Sequence, residues 1–588
     1  MKTTNGINDD PHSLKKSAVL LVSLVGLLAI LIVSILILSG VPPVSRDALT
    51  HHLTVPKLYL QQGGISEIPA VLFSYYPLNL DLLYVIPLYF GNDIAPKFIH
   101  FAFALLTAWL IYGYLVKRLG AVWAIFGAIF FLSLPIIVKL SITVYVDLGL
   151  IFFSTAALMS LLKWIESHFQ VRFLILSAIC CGLALGTKYN GLVVLLILTL
   201  FIPFVYISKS KTKSNPKDPA DNASIGRIQL KALGFGVIFV SMALLVFSPW
   251  MIRNYIWTAN PIYPLYDTLF NRRIPVSPIS QIDPQNLGPD VDSQPLSKAK
   301  PTAWGSFAMR RVIFGESWWE IALIPVRIFI QGQDNSPKHF DGQLSPFLLL
   351  LPFFAFLQTT RHSEALRIEK KIFIFFAILF VLYTFCTTSI RIRYVAPIIP
   401  PLVVLAMFGF HNMVTAFTSR WKNLPSWYSK SSILVLGAAL LFYNGLYIVQ
   451  QFNYVQPFKY LSGQMSRDAY IVKYRPEYSI YQYANRHLPD NAKIMGLFLG
   501  NRRYYCDREL IFGQYEFQQS IKRSESTEML IGDLQENGYT HVMIRFDLFN
   551  QWATRQFSER KREMLKAFFA THAQSIFSKD GYGLFELI

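Results

Sequence analysis

The sequence predicts a polytopic α-helical membrane protein of about eleven transmembrane helices, with large extramembrane loops and a small C-terminal α/β domain. Three observations carry this. Of 588 residues, 53% are hydrophobic and only 15% charged, where a soluble chain carries nearer a quarter charged residues. Apolar runs of membrane length recur from Ser17 onward. Beyond residue 452 the composition becomes ordinary, with short strand-like patterns between amphipathic helical ones.

The first run, Ser17 to Gly40, follows Lys15 and Lys16 in a polar segment, 1–16. Lysines ahead of a span hold that end in the cytoplasm. The run is too long for a signal-peptide core, and no small-residue cleavage site follows it. Further runs lie at roughly 94–116, 121–140, 148–164, 172–188, 191–208, 232–250, 344–360, 371–389, 394–412 and 431–451. Alternate threading puts Lys117 and Arg118, Lys163 and Arg172, and Lys209, Lys211, Lys213, Lys217, Arg227 and Lys231 on the cytoplasmic side. Arg361, Arg367, Lys370 and Lys371, and then Arg420, Lys422 and Lys430, fall there too, as the positive-inside rule requires. Residues 17–451 are thus the transmembrane domain, with outer loops at 41–93 and 251–343, and 452–588 is extracytoplasmic.

The segment 77–92 is apolar but short, and it contains Pro77, Asp81 and Pro87. It reads as lying on the bilayer or re-entrant rather than crossing. In the second outer loop, 271–303 reads as irregular, while 305–332, with Trp318 and Trp319, reads as a helix at the interface. In the tail, Ile494–Leu499, Thr540–Phe546 and Gly583–Ile588 read as strands, and 526–536 and 558–571 as helices. No fixed-period repeat is visible.

The net charge of +19 sits largely in loops between apolar runs. Topology and anionic lipid account for it, so nucleic acid is not the expected partner. Cys180, Cys181 and Cys386 lie in apolar runs and Cys506 stands alone, which suggests neither a disulfide framework nor a metal site.

Ionisable groups near the membrane core are costly, so their placement is informative. They gather at the outer ends of spans: Asp47, His51 and His52; Asp147; Lys188; Arg253; Arg391 and Arg393. Each has an ordinary reading. Asp47 and Asp147 are suitable helix caps, and Lys188 is placed to snorkel. His51 and His52 suit an interfacial helix, and the three arginines are juxtamembrane cations. His100 and His411 read as polar packing residues, and Asp81 either orients its helix or faces the site. As a set they fit a different role. Arg and Lys stabilise a phosphate that leaves a sugar. A carboxylate accepts the proton of an attacking hydroxyl. A groove between helices takes an isoprenoid tail.

The chain also resembles a known family. The stretches are Arg46-Asp47-Ala48-Leu49-Thr50-His51-His52-Leu53, Tyr75-Tyr76-Pro77-Leu78, Tyr145-Val146-Asp147 and Gly182-Leu183-Ala184-Leu185-Gly186-Thr187-Lys188-Tyr189. Pro249-Trp250-Met251-Ile252-Arg253-Asn254, Asn260-Pro261-Ile262-Tyr263-Pro264 and Arg393-Tyr394-Val395-Ala396-Pro397 complete the set. In order and spacing they resemble the GT-C membrane glycosyltransferases, in particular the bacterial phospholipid-carrier branch of the aminoarabinose transferases, related to protein O-mannosyltransferases. The resemblance implies an enzyme of the bacterial inner membrane. It would take a sugar from a polyprenyl-phosphate donor, on the extracytoplasmic face, to a lipid, glycan or protein acceptor. Asp47 and Asp147 match its catalytic acids, while His51, His52, Tyr76, Lys188, Arg253, Arg391 and Arg393 fall where substrate contacts belong. A divalent metal, if one binds, would take Asp47, His51 and His52; the acidic pair often seen in such enzymes is Asp47-Ala48 here. The alternative is a transporter or lipid flippase, which calls for internal repeats and ionisable groups at the bilayer midplane.

Overall fold

The computed structural model describes residues 11–211, 221–271, 306–357, 364–387, 390–420 and 426–588. The expected irregular loop at 271–303, and Lys213, Lys217, Arg361 and Lys422, lie wholly or almost wholly outside these residues.

Among the described residues, eight helices are long and apolar enough to cross a bilayer, or nine if a bent pair counts as one. Two of the eleven expected runs fall short of that length among the described residues. Among the described residues of the run 344–360 the helix is Phe347–Phe354, a rod of about 12 Å against a hydrocarbon core of about 30 Å. The run 172–188 folds as Val171–Thr187, 17 residues, just short of a full span. The run 121–140 is helical but breaks at Leu134-Pro135, where Ala121–Ser133 and Pro135–Ser141 meet at 66°. The cause is local: proline disfavours helical geometry in the residue before it, and Leu134 has ψ 133.

Close approach between helices depends on small residues. A Cβ at Gly409 would overlap the Leu351 carbonyl oxygen, so glycine lets Phe347–Phe354 lie backbone to backbone against Ile399–Arg420. Gly409→Ala is expected to lower the unfolding temperature in detergent, at about 1–3 kcal/mol, because backbone cannot step aside as a side chain can. At Gly186 a Cβ would collide with the Asn79 amide. That amide donates to the Leu183 carbonyl (3.3 Å) and accepts from Trp250 Nε1 (2.8 Å), tying three segments together beside Lys188.

Segment 41–93 forms short helices rather than a span: Ala48–His52, Thr54–Gln61, Leu72–Tyr75 and Asn79–Tyr89. The expected single helix over 305–332 is instead three pieces: Ser306–Ile313, Trp318–Ala322 and Ile324–Arg327. Gly315, at φ 66, ends the first, and a capping box between Ser317 and Glu320 starts the second. Trp318 and Trp319 are exposed, as an interfacial position requires.

The tail carries a five-stranded sheet in the order β2-β1-β3-β5-β4, with β1 Lys493–Leu497, β2 Glu509–Ile511, β3 His541–Arg545, β4 Ala573–Lys579 and β5 Tyr582–Leu587. β1 pairs in parallel with β2 and β3, while β5 is antiparallel to β3 and β4. Side chains alternate along β3: Val542 and Ile544 join one apolar cluster and Met543 the other, so both faces are covered. The sequence reading found β1, β3 and β5 but missed β2 and β4. Asp580-Gly581, both at positive φ, is the two-residue turn that signals the β4–β5 hairpin.

Candidate active site

Asp47 directly precedes the turn Ala48–His52, yet its side chain makes no cap bond there. Ala48 and Leu49 are buried and anchor the turn. The carboxylate faces Arg393, whose Nη1 donates to Oδ2 at 2.5 Å. Arg393 is placed by the loop before it, where Ile392 N–H bonds the Phe340 carbonyl at 2.9 Å. Burial by itself pushes the Asp47 carboxyl up, but the Arg393 charge outweighs it and holds the group below the usual carboxylate range. Asp47 is therefore ionised at neutral pH, and it remains 21% exposed and reachable.

Asp147 opens the helix Asp147–Glu166. His100 sets that helix start: its Nε2 accepts the Leu148 N–H at 3.0 Å, and its Nδ1 faces the Leu140 and Thr143 carbonyls at 3.0 and 3.1 Å. These partners assign the proton to Nδ1, since only a protonated nitrogen faces carbonyls and only a bare one accepts an N–H. His100 is thus the packing residue the sequence suggested. Asp147 Oδ1 accepts from Lys188 Nζ at 2.6 Å. The carboxylate is 1% exposed, and Oδ2 has no partner. Lys188 is neither snorkelling nor free: its ammonium also sits 5.4 Å over the Tyr394 ring.

The two acid–cation pairs share walls. Arg393 lies 5.3 Å from the Tyr145 ring centre and 5.4 Å from that of Tyr394. The buried polar atoms without a partner include Arg393 Nε, Asp147 Oδ2 and His51 Nδ1 here, and Arg253 Nη1. Native structures leave few such atoms without cause.

His51 stacks on Phe73 at 4.2 Å, and His52 Nδ1 contacts Asp81 Oδ1 at 2.7 Å. Burial lowers both imidazoles to about 3, so both are neutral, while burial raises Asp81 to about 7. The ionised Asp81 accepts the Nδ1 proton of His52 and turns the Nε2 lone pair outward. As pH falls through about 7 the carboxyl gains its proton, becomes a donor to Nδ1 and switches the His52 tautomer. Activity is expected to rise from pH 6 to 8 with a one-proton slope, and Asp81→Asn to flatten that limb; an unchanged slope in the variant would assign the titration elsewhere. The suggested metal set does not assemble: among the described residues no three His, Cys, Asp or Glu side chains converge to hold an ion.

Arg253 is largely occupied. Its Nη2 donates to the Tyr75 (2.7 Å) and Tyr76 (3.1 Å) carbonyls and to Asn254 Oδ1 (2.8 Å), and its guanidinium lies over Trp250 and Trp257. It fixes the backbone under Tyr76, whose ring lies between Phe73 and Tyr189. Arg391 faces Asp341 at 3.7 Å. Lys139 reaches Asp341 (3.2 Å) and Asp334 (3.1 Å), and together these ties hold loop 331–343 against the segment Arg391–Arg393. The sequence reading missed Lys139, although a lysine inside an apolar run is a signal in itself. It also missed Tyr145 and Tyr394 as walls, although each stood inside a quoted motif.

The tail touches the same place. Tyr504 N–H donates to the Leu49 carbonyl (3.2 Å), Tyr505 OH to the Pro43 carbonyl (2.8 Å), and Lys57 Nζ to the Tyr504 carbonyl and Asp507 (both 2.7 Å). Arg467 pairs with Asp93 at 2.5 Å. The segment 501–507 therefore rests on residues on both sides of Asp47.

Residues 88–218, which include His100, Asp147 and Lys188, match the family model described as dolichyl-phosphate-mannose-protein mannosyltransferase. A search of curated sequences returns no match. Among solved structures, ArnT from Cupriavidus metallidurans in the apo state is similar at TM-score 0.54 and 13% identity, over 98% of both chains. The same protein bound to undecaprenyl phosphate is similar at TM-score 0.54 and 13% identity, over 96% of this chain and 98% of that one. The Archaeoglobus fulgidus oligosaccharyltransferase, tethered to an acceptor peptide containing the NVT sequon, follows at TM-score 0.51 and 10% identity, over 96% of this chain and 74% of that one. Along nearly its whole length the chain therefore has the fold of these multi-pass membrane proteins, and within it residues 88–218 match the mannosyltransferase family model.

Proposed function

We propose that the enzyme moves a sugar from a polyprenyl-phosphate carrier to an acceptor hydroxyl in the chamber between Asp47, Asp147, Lys188 and Arg393. The observation that carries this is the pairing of two carboxylates with two cations around unpartnered polar atoms. The ArnT neighbour bound to undecaprenyl phosphate supports the carrier. In the transfer, the acceptor oxygen gives its proton to Asp47 and bonds to the anomeric carbon. The bond from that carbon to the phosphate oxygen breaks, and the electron pair leaves with the lipid phosphate. Arg393, Lys188 and Arg253 stabilise the departing charge. Asp47 held by Arg393 is a weak base. Phosphate arriving on Arg393 draws the guanidinium's charge away and raises that basicity, so donor binding readies the base. Asp147 keeps Lys188 in place, and Tyr76, His51 and His52 line the sugar's approach.

The charge pattern supports an inner-membrane location with residues 1–16 cytoplasmic, and with the chamber and 452–588 on the outer face. The test is purified protein in lipid, supplied with labelled polyprenyl-phosphate sugar or nucleotide sugar and an envelope extract. Label passing to envelope material from the lipid donor only, with release of polyprenyl phosphate, is the expected result. Transfer from the nucleotide sugar instead would overturn the reading.

A further inference from the structure

The chain around Asp47 carries little structure of its own. Residues 42–45 have no regular structure, and the turn Ala48–His52 takes no side-chain bond from Asp47. The ties that bracket the residue come from elsewhere. Upstream, Lys97 Nζ donates to the Val41 carbonyl at 2.8 Å and Tyr505 OH to the Pro43 carbonyl at 2.8 Å. Downstream, the Leu49 carbonyl accepts from Thr54 Oγ1 at 2.8 Å and from the Tyr504 N–H at 3.2 Å. One tie on each side thus belongs to the dipeptide Tyr504-Tyr505, and Tyr505 stands 462 residues from Pro43.

The dipeptide is itself held from the tail. Asn485, on the helix Tyr478–His487, donates from Nδ2 to the Tyr505 carbonyl at 2.9 Å and accepts the Asp507 N–H at Oδ1 at 2.8 Å. The Tyr505 ring meets that of Tyr478 edge-on at 5.0 Å. On the membrane side the Tyr504 ring packs on the apolar cluster that includes Ala48 and Val146, the neighbours of Asp47 and Asp147. Its carbonyl takes Lys57 Nζ at 2.7 Å. A reacting carboxylate must be held close to its productive geometry, and contacts outside the reacting groups supply that hold. We propose that Tyr505 is a positioning residue for Asp47, contributed by the tail, and that Asn485 carries the tail's rigidity to it. This rests on the transfer reading above, in which Asp47 takes the acceptor proton, and adds the part the tail plays in it.

Tyr505→Phe keeps the ring and removes the bond to Pro43, and Asn485→Ala loosens Tyr505 from within the tail. Each is made in the full-length protein, alone and combined with Asp47→Asn, with Arg393→Met and with both. The readouts are transfer at saturating polyprenyl-phosphate sugar, binding of polyprenyl phosphate, and ligand-free unfolding. Tyr505→Phe is expected to lower turnover about tenfold, part of the roughly 10²-fold loss that a misplacement of about 1 Å brings. Affinity for polyprenyl phosphate should stay at the wild-type value. The coupling between Asp47 and Arg393 in unfolding, measured as a double-mutant cycle, should shrink; a brace that does not set Asp47 leaves it unchanged. Asn485→Ala should move turnover and coupling in the same direction by less. Unchanged turnover and coupling overturn the proposal, and so does a lower unfolding temperature with both intact, which marks a brace for the fold alone. A fall in turnover with full coupling places Tyr505 on the substrate and also overturns it. Weaker coupling with wild-type turnover upholds the positioning and removes Asp47 from the chemistry. If wild type transfers no sugar from the lipid donor, the transfer reading fails, and the coupling still decides Tyr505.

Discussion

Asp47→Asn is expected to lower sugar transfer by a factor of about 10²–10⁴, the usual contribution of a positioned general base. The substitution keeps the side chain's shape and removes its charge, so the turn Ala48–His52, which takes no cap bond from Asp47, stays folded. The informative part is the split between steps. In the proposed transfer Asp47 competes with phosphate for Arg393, whose Nη1 it occupies at 2.5 Å. Without that competitor, affinity for polyprenyl phosphate should hold or improve while turnover collapses. Measuring turnover and lipid-phosphate binding on the same preparation separates the two. Turnover near the wild-type rate would remove Asp47 from the chemistry, and a parallel loss of binding would make it a binding residue rather than a base.

Arg393→Met is expected to fail in both steps and to cost stability as well. The guanidinium is 12% exposed and is the main counter-charge of Asp47. Removing it leaves a mostly buried carboxylate uncompensated, which costs about 3–5 kcal/mol for a fully buried pair; the residual exposure of Asp47 puts this site toward the lower figure. Transfer should fall by about 10²–10³ from the loss of one charge-stabilising donor, with weaker lipid-phosphate binding. The double variant Asp47→Asn with Arg393→Met should regain most of the stability and none of the activity. That pattern separates fold from chemistry, because contacting residues couple in a double-mutant cycle. Additive stability losses would show that the two side chains do not meet.

Most helices were legible because burial in lipid demands long apolar runs and marks little else. The failures share a cause. Whether 344–360 spans depends on where Phe347–Phe354 docks against Gly409, a contact between segments far apart in sequence. The interfacial stretch 305–332 broke because Gly315 and the Ser317–Glu320 capping box act over three or four residues, below the scale of an amphipathic stripe. Strand β2 is three residues long, and β4 faces outward over much of its length, so neither shows a strong pattern.

The sequence by itself determined that this chain lives in a membrane, that its ionisable groups collect at one set of helix ends, and which residues are candidates. Charge is so costly in hydrocarbon that its mere position speaks. Only the tertiary structure decided the partners: Asp47 with Arg393, 346 residues apart, Asp147 with Lys188, His52 with Asp81, and Arg253 turned to the Tyr75–Tyr76 backbone. Pairing depends on ångström distances between segments, which a string of residues does not encode locally, and it sets which charges are neutralised and by which partner.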